Sequence, residues 1–296
     1  MTIQPSKVWF ITGCSTGFGR ALTEAVLEQG EIVVATARKP QQLKNLVQQY
    51  GVGQSPAIGD RILVLALDVT QSSDIQAAVN QAIATFGRID VLVNNAGYGV
   101  FGAVEEVSDV DIRRQFETNV YGALNVTRAV LPHLRRQRSG HILNISSSGG
   151  FVGFPGAGIY CASKFALEGW SEALAKEVAP LGIHVTIVEP GAFRTAFNGT
   201  LVVPHQAIED YATTSGQMLQ WLHQMDGQQP GDPKKAATAM IQVVNHSNPP
   251  LRLVLGADVL EVVHAKLEAV AADLAEWRHV SVNTVFEGAA VSAIGG

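Results

Sequence analysis

Short runs of aliphatic and β-branched residues alternate along this chain with longer segments in which apolar positions recur every three or four residues. The runs predict strands at residues 8–11, 32–35, 62–67, 91–93, 141–145, 184–188 and 251–255. The longer segments predict helices at residues 19–28, 72–86, 110–136, 160–177 and 233–245. Such alternation indicates a parallel sheet whose right-handed crossovers place helices on both faces. The pattern therefore predicts a doubly wound α/β fold with seven parallel strands, in a single domain over residues 1–296.

Other segments depart from this alternation. Residues 51–61 contain glycine and proline, which predicts an exposed loop. Residues 192–231 form a long insertion, and because insertions of this length usually serve a function or carry helices of their own, we expect a substrate lid. Residues 257–296 predict a C-terminal amphipathic helix packed on the core, followed by a mobile tail of small residues. The pair Asp232-Pro233 predicts a helix start.

Composition and charge limit the partners of this chain. Its formal net charge is -5, without the basic excess by which proteins bind nucleic acid or anionic lipid. Two cysteines, Cys14 and Cys161, are too few for a disulfide framework, and the histidines have no partners at metal-ligand spacing. Neither a signal peptide nor an apolar run of the ~18 residues that span a bilayer is apparent. We therefore expect a cytoplasmic protein with no metal, no nucleic-acid partner and no stable membrane insertion.

A glycine-rich turn joins the first predicted strand to the first predicted helix. From Thr12 to Gly19 it has the spacing Gly-x-x-x-Gly-x-Gly. A turn of this kind directs unpaired backbone N–H groups and the positive end of the helix dipole toward one point. A pyrophosphate can approach it closely, although a tight turn without any ligand is the alternative. The residues predicted to hold the pyrophosphate are Gly13, Ser15, Thr16, Gly17, Phe18 and Gly19.

The end of the second strand indicates which dinucleotide binds. A carboxylate there would accept hydrogen bonds from ribose hydroxyls, but the chain has Thr36-Ala37-Arg38 at this place. The planar guanidinium of Arg38 suits a 2'-phosphate, which favours NADP(H) over NAD(H) and leaves NAD(H) as the alternative cofactor. An Arg38 that faces solvent or only covers the adenine is the other interpretation. Asp68, at the end of the third strand, could accept a hydrogen bond from the adenine amino group.

Tyr160 and Lys164 are four residues apart in a predicted helix, so their side chains would project from one face. A phenol, with an ordinary pKa of ~10, is a poor acid at neutral pH, and a nearby ammonium favours its ionised form. We therefore expect Lys164 to lower the pKa of Tyr160, and Tyr160 to donate and accept a proton. A serine triplet, Ser146-Ser147-Ser148, follows the fifth strand, at the edge where parallel sheets bind ligands.

These motifs in combination resemble the short-chain dehydrogenase/reductase family, over about residues 7–255. The resemblance also includes Asp68-Val69, Asn94-Asn95-Ala96-Gly97, Asn119, and Pro190-Gly191 followed by Thr195. The second-strand sequence and the extended C-terminus are most similar to the branch of hydroxysteroid and retinol dehydrogenases. The resemblance implies a Rossmann-type fold and reversible hydride transfer between nicotinamide and a carbonyl or secondary alcohol. It also implies a homodimer or homotetramer built through residues 110–136 and 160–177.

The resemblance implies roles for individual residues as well. The catalytic set would be Asn119, Ser147, Tyr160 and Lys164, and the thirteen-residue spacing to Tyr160 selects Ser147 from the triplet to polarise the substrate oxygen. Asn119 would distort its helix and hold a water for Lys164, which would also bind the nicotinamide ribose. Thr195 would hold the nicotinamide carboxamide. Further implied cofactor contacts are Asp68, Val69, Asn95, Ala96, Gly97, Tyr160, Pro190 and Gly191.

Aromatic residues near the catalytic segments indicate the kind of substrate. Phe151, Phe154 and Phe197 predict an apolar pocket for a hydrophobic ketone, aldehyde or alcohol, with ordinary core packing as the alternative. Four other functions stay open: an NAD(H)-dependent alcohol dehydrogenase of the same family, a non-catalytic dinucleotide-sensing protein, an enzyme anchored to a membrane surface by residues 257–277, and a sugar-nucleotide epimerase or dehydratase. The glycine spacing and the short C-terminal part disfavour the last of these.

Overall fold

The structure is a computed structural model that describes residues 6–50 and 61–289, and these residues contain a seven-stranded parallel sheet. The strands are β1 (Val8–Ile11), β2 (Ile32–Ala37), β3 (Ile62–Ala66), β4 (Val91–Asn94), β5 (Gly140–Ile145), β6 (Ile183–Pro190) and β7 (Arg252–Leu255). Their order across the sheet is β3-β2-β1-β4-β5-β6-β7. The predicted Rossmann-type fold and its strands are confirmed, with strand ends displaced by at most 2 residues.

Helices cover both faces of the sheet. They are α1 (Gly17–Glu28), α2 (Lys44–Tyr50), α3 (Ser72–Phe86), α4 (Asp109–Phe116), α5 (Ala123–Gln137), α6 (Gly158–Val178), α7 (Gln217–Gln224), α8 (Pro233–Val244), α9 (Ala257–Glu276) and α10 (Arg278–Ser281). The helix predicted at 110–136 consists of α4 and α5, joined by a π-helical segment, Glu117–Gly122. The start of α8 is as predicted, because the Asp232 carboxylate accepts a hydrogen bond from the Lys234 backbone N–H at 2.8 Å.

Two apolar clusters form the core, one on each side of the sheet. Successive residues of β1 contribute to opposite clusters, as the alternation of side chains along a strand requires: Trp9 packs on one side and Phe10 on the other. The first cluster is closed by α1 and α8, and the second by α3, α5 and α6. Burial on both faces explains why the strands are almost continuously apolar.

The strand order places a crevice at the carboxyl edge of the sheet. β1 pairs with both β2 and β4, so the chain winds away from β1 in opposite directions before and after the third strand. Loops that leave neighbouring strands toward opposite faces open a ligand crevice between them. The insertion at residues 192–231 contains α7, and a bridge between Val100 and Val202 joins it to the loop after β4.

The C-terminal helix α9 is not packed on the core, contrary to the prediction. Val259 is its one buried residue, whereas Leu274 is 67% exposed and Trp277, which follows the helix, is 58% exposed. Apolar periodicity predicts that a helix has an apolar face, but it does not identify the surface which that face covers. All but the last residue of the predicted loop at 51–61, and the end of the predicted tail, residues 290–296, lie outside the described residues.

Candidate active site

A cavity of about 1390 Å³ lies at the carboxyl edge of the sheet. Its walls come from the loops that follow the strands and from the insertion at 192–231, and it brings together most of the predicted site residues. Those that line it are Gly13, Ser15, Thr16, Gly17, Phe18, Arg38, Asp68, Val69, Asn95, Ala96, Gly97, Ser147, Phe154, Tyr160, Lys164, Pro190, Gly191, Thr195 and Phe197. Gly19, Asn119 and Phe151 are predicted site residues that do not line it.

The glycine-rich turn has a backbone that requires its glycines. Gly13 and Gly17 have φ angles of 71° and 59°, in the left-handed region that residues with side chains rarely adopt. Gly19 is crowded, because a Cβ there would overlap the Gly13 carbonyl oxygen and the Asn95 side-chain amide. α1 begins in this turn, so its unpaired N–H groups lie at the cavity wall. The positive end of the α1 dipole, the free N–H groups and the lack of side chains at the glycines together fit a pyrophosphate.

Thr12 ties this turn to the Asn-Asn-Ala-Gly motif after β4. Its hydroxyl accepts hydrogen bonds of 3.0 Å from the backbone N–H groups of Asn95 and Ala96. The Asn95 side chain donates to the carbonyl oxygens of Thr12 and Gly13, at 2.8 Å and 3.0 Å. These bonds fix the two loops that flank the crevice. Thr12 is not among the predicted contacts. Its position directly before the first glycine is the sequence feature that could have indicated a role in this turn.

The second and third strands end beside one end of the cavity. Arg38 follows β2 as an exposed residue at the cavity wall, and in the part of the chain that the structure describes its side chain makes no hydrogen bond or ion pair. Asp68 follows β3, and one of its oxygens accepts hydrogen bonds from the backbone N–H and the hydroxyl of Thr70, at 3.0 Å and 2.8 Å. A ligand at this end would therefore meet the Arg38 guanidinium and a carboxylate of which one oxygen already accepts hydrogen bonds from Thr70.

Ser147 faces the cavity from the turn after β5, and Tyr160 and Lys164 face it from α6. The Ser147 hydroxyl accepts a hydrogen bond of 3.0 Å from the Gly149 backbone N–H. The Tyr160 ring packs against Phe101 and Phe197, with centroids 5.3 Å and 5.8 Å away. The Lys164 Nζ donates to the carbonyl oxygen at the end of β5 at 2.8 Å and lies 5.8 Å from the centroid of the Tyr160 ring. The helix spacing thus brings the ammonium over the ring of the tyrosine.

Asn119 lies behind this group, in the π-helical segment between α4 and α5. Its Oδ1 accepts a hydrogen bond from the Tyr98 backbone N–H at 3.1 Å, and its Nδ2 donates to the Tyr98 carbonyl oxygen at 2.9 Å and to the Ser163 hydroxyl at 3.2 Å. The helix distortion expected at Asn119 is therefore present. Asn119 joins the loop after β4 to α6, and its role toward a water at Lys164 stays a prediction.

A family model described as short chain dehydrogenase matches residues 7–204. The chain belongs to the short-chain dehydrogenase family. Oxidoreductase BOA17 of Botryotinia fuckeliana is 42% identical over 277 residues, which are 94% of this chain and 98% of that protein. The 3-ketodihydrosphingosine reductase of Bacteroides thetaiotaomicron is 40% identical over 266 residues, 89% of this chain and 92% of that protein. The predictions of the family and of an oxidoreductase are confirmed.

Solved members of the family share the fold of this short-chain dehydrogenase. A short-chain dehydrogenase from Streptomyces avermitilis is 43% identical with a TM-score of 0.88, covering 95% of this chain and 100% of its own. ElxO, 27% identical with a TM-score of 0.71 and coverages of 87% and 100%, contains NADP. The 3-ketoacyl-(acyl-carrier-protein) reductase of Brucella melitensis, 27% identical with a TM-score of 0.69 and coverages of 84% and 96%, contains NADH. Both dinucleotides therefore occur among similar structures.

The pKa of the tyrosine in this short-chain dehydrogenase shifts in the direction opposite to the expectation. Burial raises the pKa of Tyr160 to about 12, and the Ser147 hydroxyl opposes the shift. Burial also lowers the pKa of Lys164 to about 8, against the opposing charge of Glu168. Desolvation disfavours the charged form of each group and is the largest cause of both shifts, and the Lys164 ammonium donates to a backbone carbonyl oxygen.

The apolar part of the cavity differs in one residue from the prediction. Phe154 and Phe197 line it, but Phe151 packs under the Arg252 guanidinium, 5.4 Å from the ring centroid, outside the cavity wall. Arg252 is distant in sequence, so nothing near Phe151 could indicate this contact. Unpredicted apolar residues of the wall include Phe101, Met218, Trp221, Leu222, Met225 and Val262. Four of them recur at helical spacing between 218 and 225, a signal for a helix within the insertion.

Residues 6–50 and 61–289 offer neither a metal site nor a membrane span. No group of three or more His, Cys, Asp or Glu side chains in these ranges could hold a metal ion. None of the helices described there is both long enough and apolar enough to cross a membrane.

Proposed function

We propose that this short-chain dehydrogenase transfers hydride between NADP(H) and the carbonyl group, or the corresponding secondary alcohol, of a hydrophobic substrate. The observation that carries the proposal is one cavity that extends from Arg38 and the glycine turn, past Tyr160 and Lys164, to an apolar wall. A dinucleotide and an apolar substrate could therefore meet beside an ionisable hydroxyl.

Three features of the cavity support the cofactor. The glycine turn could accept a pyrophosphate, Asp68 could bind the adenine amino group, and Arg38 could offer a donor fork to a 2'-phosphate. Similar structures that contain NADP or NADH support a nicotinamide dinucleotide in general, and Arg38 is our reason for preferring NADP(H). When bound, the nicotinamide supplies or accepts the hydride. Thr195 and Lys164 would hold its carboxamide and ribose.

Tyr160 would exchange the proton on the substrate oxygen. Its pKa of about 12 keeps the phenol protonated at neutral pH, which makes it ready to donate to a carbonyl that is being reduced. Alcohol oxidation instead needs the phenolate, which burial of Tyr160 disfavours. The Ser147 hydroxyl would orient and polarise the carbonyl oxygen, and the Lys164 ammonium would stabilise negative charge near Tyr160.

The insertion at 192–231 would act as a lid on the substrate. It supplies Phe197, Met218, Leu222 and Met225 to the apolar wall, and covering an apolar substrate excludes water from the reaction. The 40% identical relative named 3-ketodihydrosphingosine reductase supports reduction of a ketone.

Assembly and location complete the proposal. Tyr121 and Phe165 are 50% and 45% exposed on the two long helical segments, which supports a homodimer or homotetramer through these surfaces. Cys14 and Cys161 are unpaired and buried, which supports a reducing, cytoplasmic location. Light scattering of the purified protein would measure the oligomeric state.

The proposed chemistry is tested by Tyr160→Phe, assayed by NADPH absorbance with a panel of ketones and aldehydes. We expect carbonyl reduction to fall at least ~100-fold, the lower range for a lost general acid, while the Kd for NADPH changes little. Tyr50→Phe is the matched control, because the Tyr50 hydroxyl donates to Glu28 at 3.2 Å and does not line the cavity.

Three outcomes would contradict the proposal. A Tyr160→Phe enzyme that keeps most of its activity would exclude the proton-transfer role. A wild-type protein that binds NADPH but turns over no ketone or aldehyde in the panel would favour a dinucleotide-sensing protein, and preference for small charged substrates would contradict the apolar pocket.

A further inference from the structure

A cluster of charged side chains, two of which are buried, lies outside the cavity. Glu168 on α6 and Glu189 on β6 are 3% and 1% exposed, and both carboxylates bind the guanidinium of Arg252. Two buried carboxylates on one guanidinium leave an excess of negative charge, which is costly unless another cation compensates it. Lys164, buried one helical turn before Glu168, is such a cation.

Glu168 also holds the segment that carries Ser147. Its Oε1 accepts a hydrogen bond of 2.6 Å from the Ser146 hydroxyl. Gly150 lies against this bond, because a Cβ there would overlap both the Glu168 carboxylate and the Ser146 hydroxyl. Ser147 and Gly150 close one tight turn, in which the Gly150 N–H donates to the Ser147 carbonyl oxygen at 2.8 Å. The carboxylate therefore contacts the Ser147 turn at its beginning and at its end.

We propose that Glu168 is a positioning residue for the reaction: it holds Ser147 in place through Ser146 and balances the charge of Lys164. The inference rests on the proposed roles of Ser147, Tyr160 and Lys164. Lys164 binds the carbonyl oxygen of Ile145 and Glu168 binds the hydroxyl of the next residue, so successive turns of α6 hold successive residues at the end of β5. Displacing a substrate-orienting group by about 1 Å costs ~100-fold in rate.

Two variants of the full-length enzyme separate geometry from charge. Ser146→Ala removes the hydrogen bond but keeps both charges, and Glu168→Gln removes the charge and weakens the bond. Glu172→Gln is the matched control: Glu172 lies on the same helix and binds the same Arg252 at 3.3 Å, its side chain is 46% exposed, and its other partner is Lys176. All three are assayed for carbonyl reduction with NADPH across the pH range.

We expect Ser146→Ala to lower kcat about 10-fold or more, with the KM for NADPH within about 3-fold of wild type and an unchanged pH profile. We expect Glu168→Gln to lower kcat similarly and also to move the alkaline limit of activity to lower pH. Loss of the Glu168 charge lowers the pKa of Lys164, whose other ionisable neighbour is Tyr160. The charged groups that face Glu168 from other positions, Arg252, Glu189 and Glu172, are the same in all variants except the control.

Wild-type kcat in Ser146→Ala, or a Glu168→Gln enzyme whose kcat and alkaline limit match those of Glu172→Gln, would overturn the inference. If Glu168→Gln does not fold, the kcat of Ser146→Ala decides it alone. Failure of the proposed function is recognised separately, because it would appear as an active Tyr160→Phe enzyme. An inactive Tyr160→Phe enzyme beside a fully active Ser146→Ala enzyme would remove only the role of Glu168.

Discussion

Asn119 is the side chain whose removal tests most directly how α6 is held to the loop after β4. It is 2% exposed, and its three hydrogen bonds reach both backbone groups of Tyr98 and the hydroxyl of Ser163. In Asn119→Ala the Tyr98 carbonyl oxygen keeps a bond of 2.7 Å from the Gln115 side chain, whereas the Tyr98 N–H loses its partner. The two backbone groups of Tyr98 therefore do not contribute equally to the stability that Asn119→Ala loses.

The size of the stability loss in Asn119→Ala follows from this difference between the two groups. A buried donor without a partner costs ~1–3 kcal/mol, and each of the other two bonds contributes ~0.5–1.5 kcal/mol net. Because Tyr98 is half-buried, the lower parts of these ranges apply. We expect Asn119→Ala to lower the free energy of unfolding by about 2–4 kcal/mol.

Urea unfolding followed by tryptophan fluorescence measures this loss. Asn80→Ala is the matched control, since Asn80 is exposed on α3 and accepts one hydrogen bond of 2.8 Å from Gln76. Its expected effect is within about 0.5 kcal/mol. If Asn119→Ala were no less stable than Asn80→Ala, the argument that Asn119 joins α6 to this loop would be refuted.

Two further predictions concern the cofactor and the acid stability. Arg38→Ala should raise the KM for NADPH about 10- to 100-fold while changing the KM for NADH little, because a charge-assisted bond to phosphate contributes ~1.5–3 kcal/mol; equal changes with both cofactors would exclude contact with a 2'-phosphate. Burial, with a smaller effect of the nearby His184, lowers the pKa of His141 to about 3. The neutral form of His141 therefore stabilises the fold above pH ~6.5, and this contribution is lost as the pH falls from ~6.5 toward 3. Between pH 7 and pH 5 the loss should be about 2 kcal/mol and should be absent in His141→Gln, as measured by urea unfolding at both pH values; an equal loss in that variant would assign the acid sensitivity to other groups.

The sequence predicts the sheet better than it predicts the short helices. Strands and long helices have enough apolar positions for their periodicity to be recognised, as in α3, whose predicted and observed bounds agree to the residue. α2 has 7 residues and a single buried side chain, Leu46, so its helical form depends on packing that local sequence does not show. α7 is likewise absent from the predicted helices, although its own spacing of apolar residues is helical.

In the site, motif positions are predictable and side-chain environments are not. Backbone conformation brings most of the expected residues to one cavity, because the glycine turn and the strand ends are local features. The prediction that Phe151 lines the cavity is wrong, because its ring packs against Arg252, which lies in β7 and is distant in sequence. Ser146 shows the same difficulty, because its bond to Glu168 joins β5 to α6 and gives no signal in the serine triplet itself.

The spacing of Tyr160 and Lys164 has a different physical meaning in the structure from the one expected. Direct acidification of a phenol requires the ammonium near its oxygen, but Lys164 Nζ is 5.8 Å from the ring centroid and is bound to a backbone carbonyl. Burial therefore dominates both pKa values, raising that of Tyr160 and lowering that of Lys164. A proton donor with a high pKa beside a cation that loses its charge near pH 8 is suited to reduction at neutral pH. The reverse reaction needs the tyrosine to ionise, and burial of its hydroxyl disfavours that ionised form.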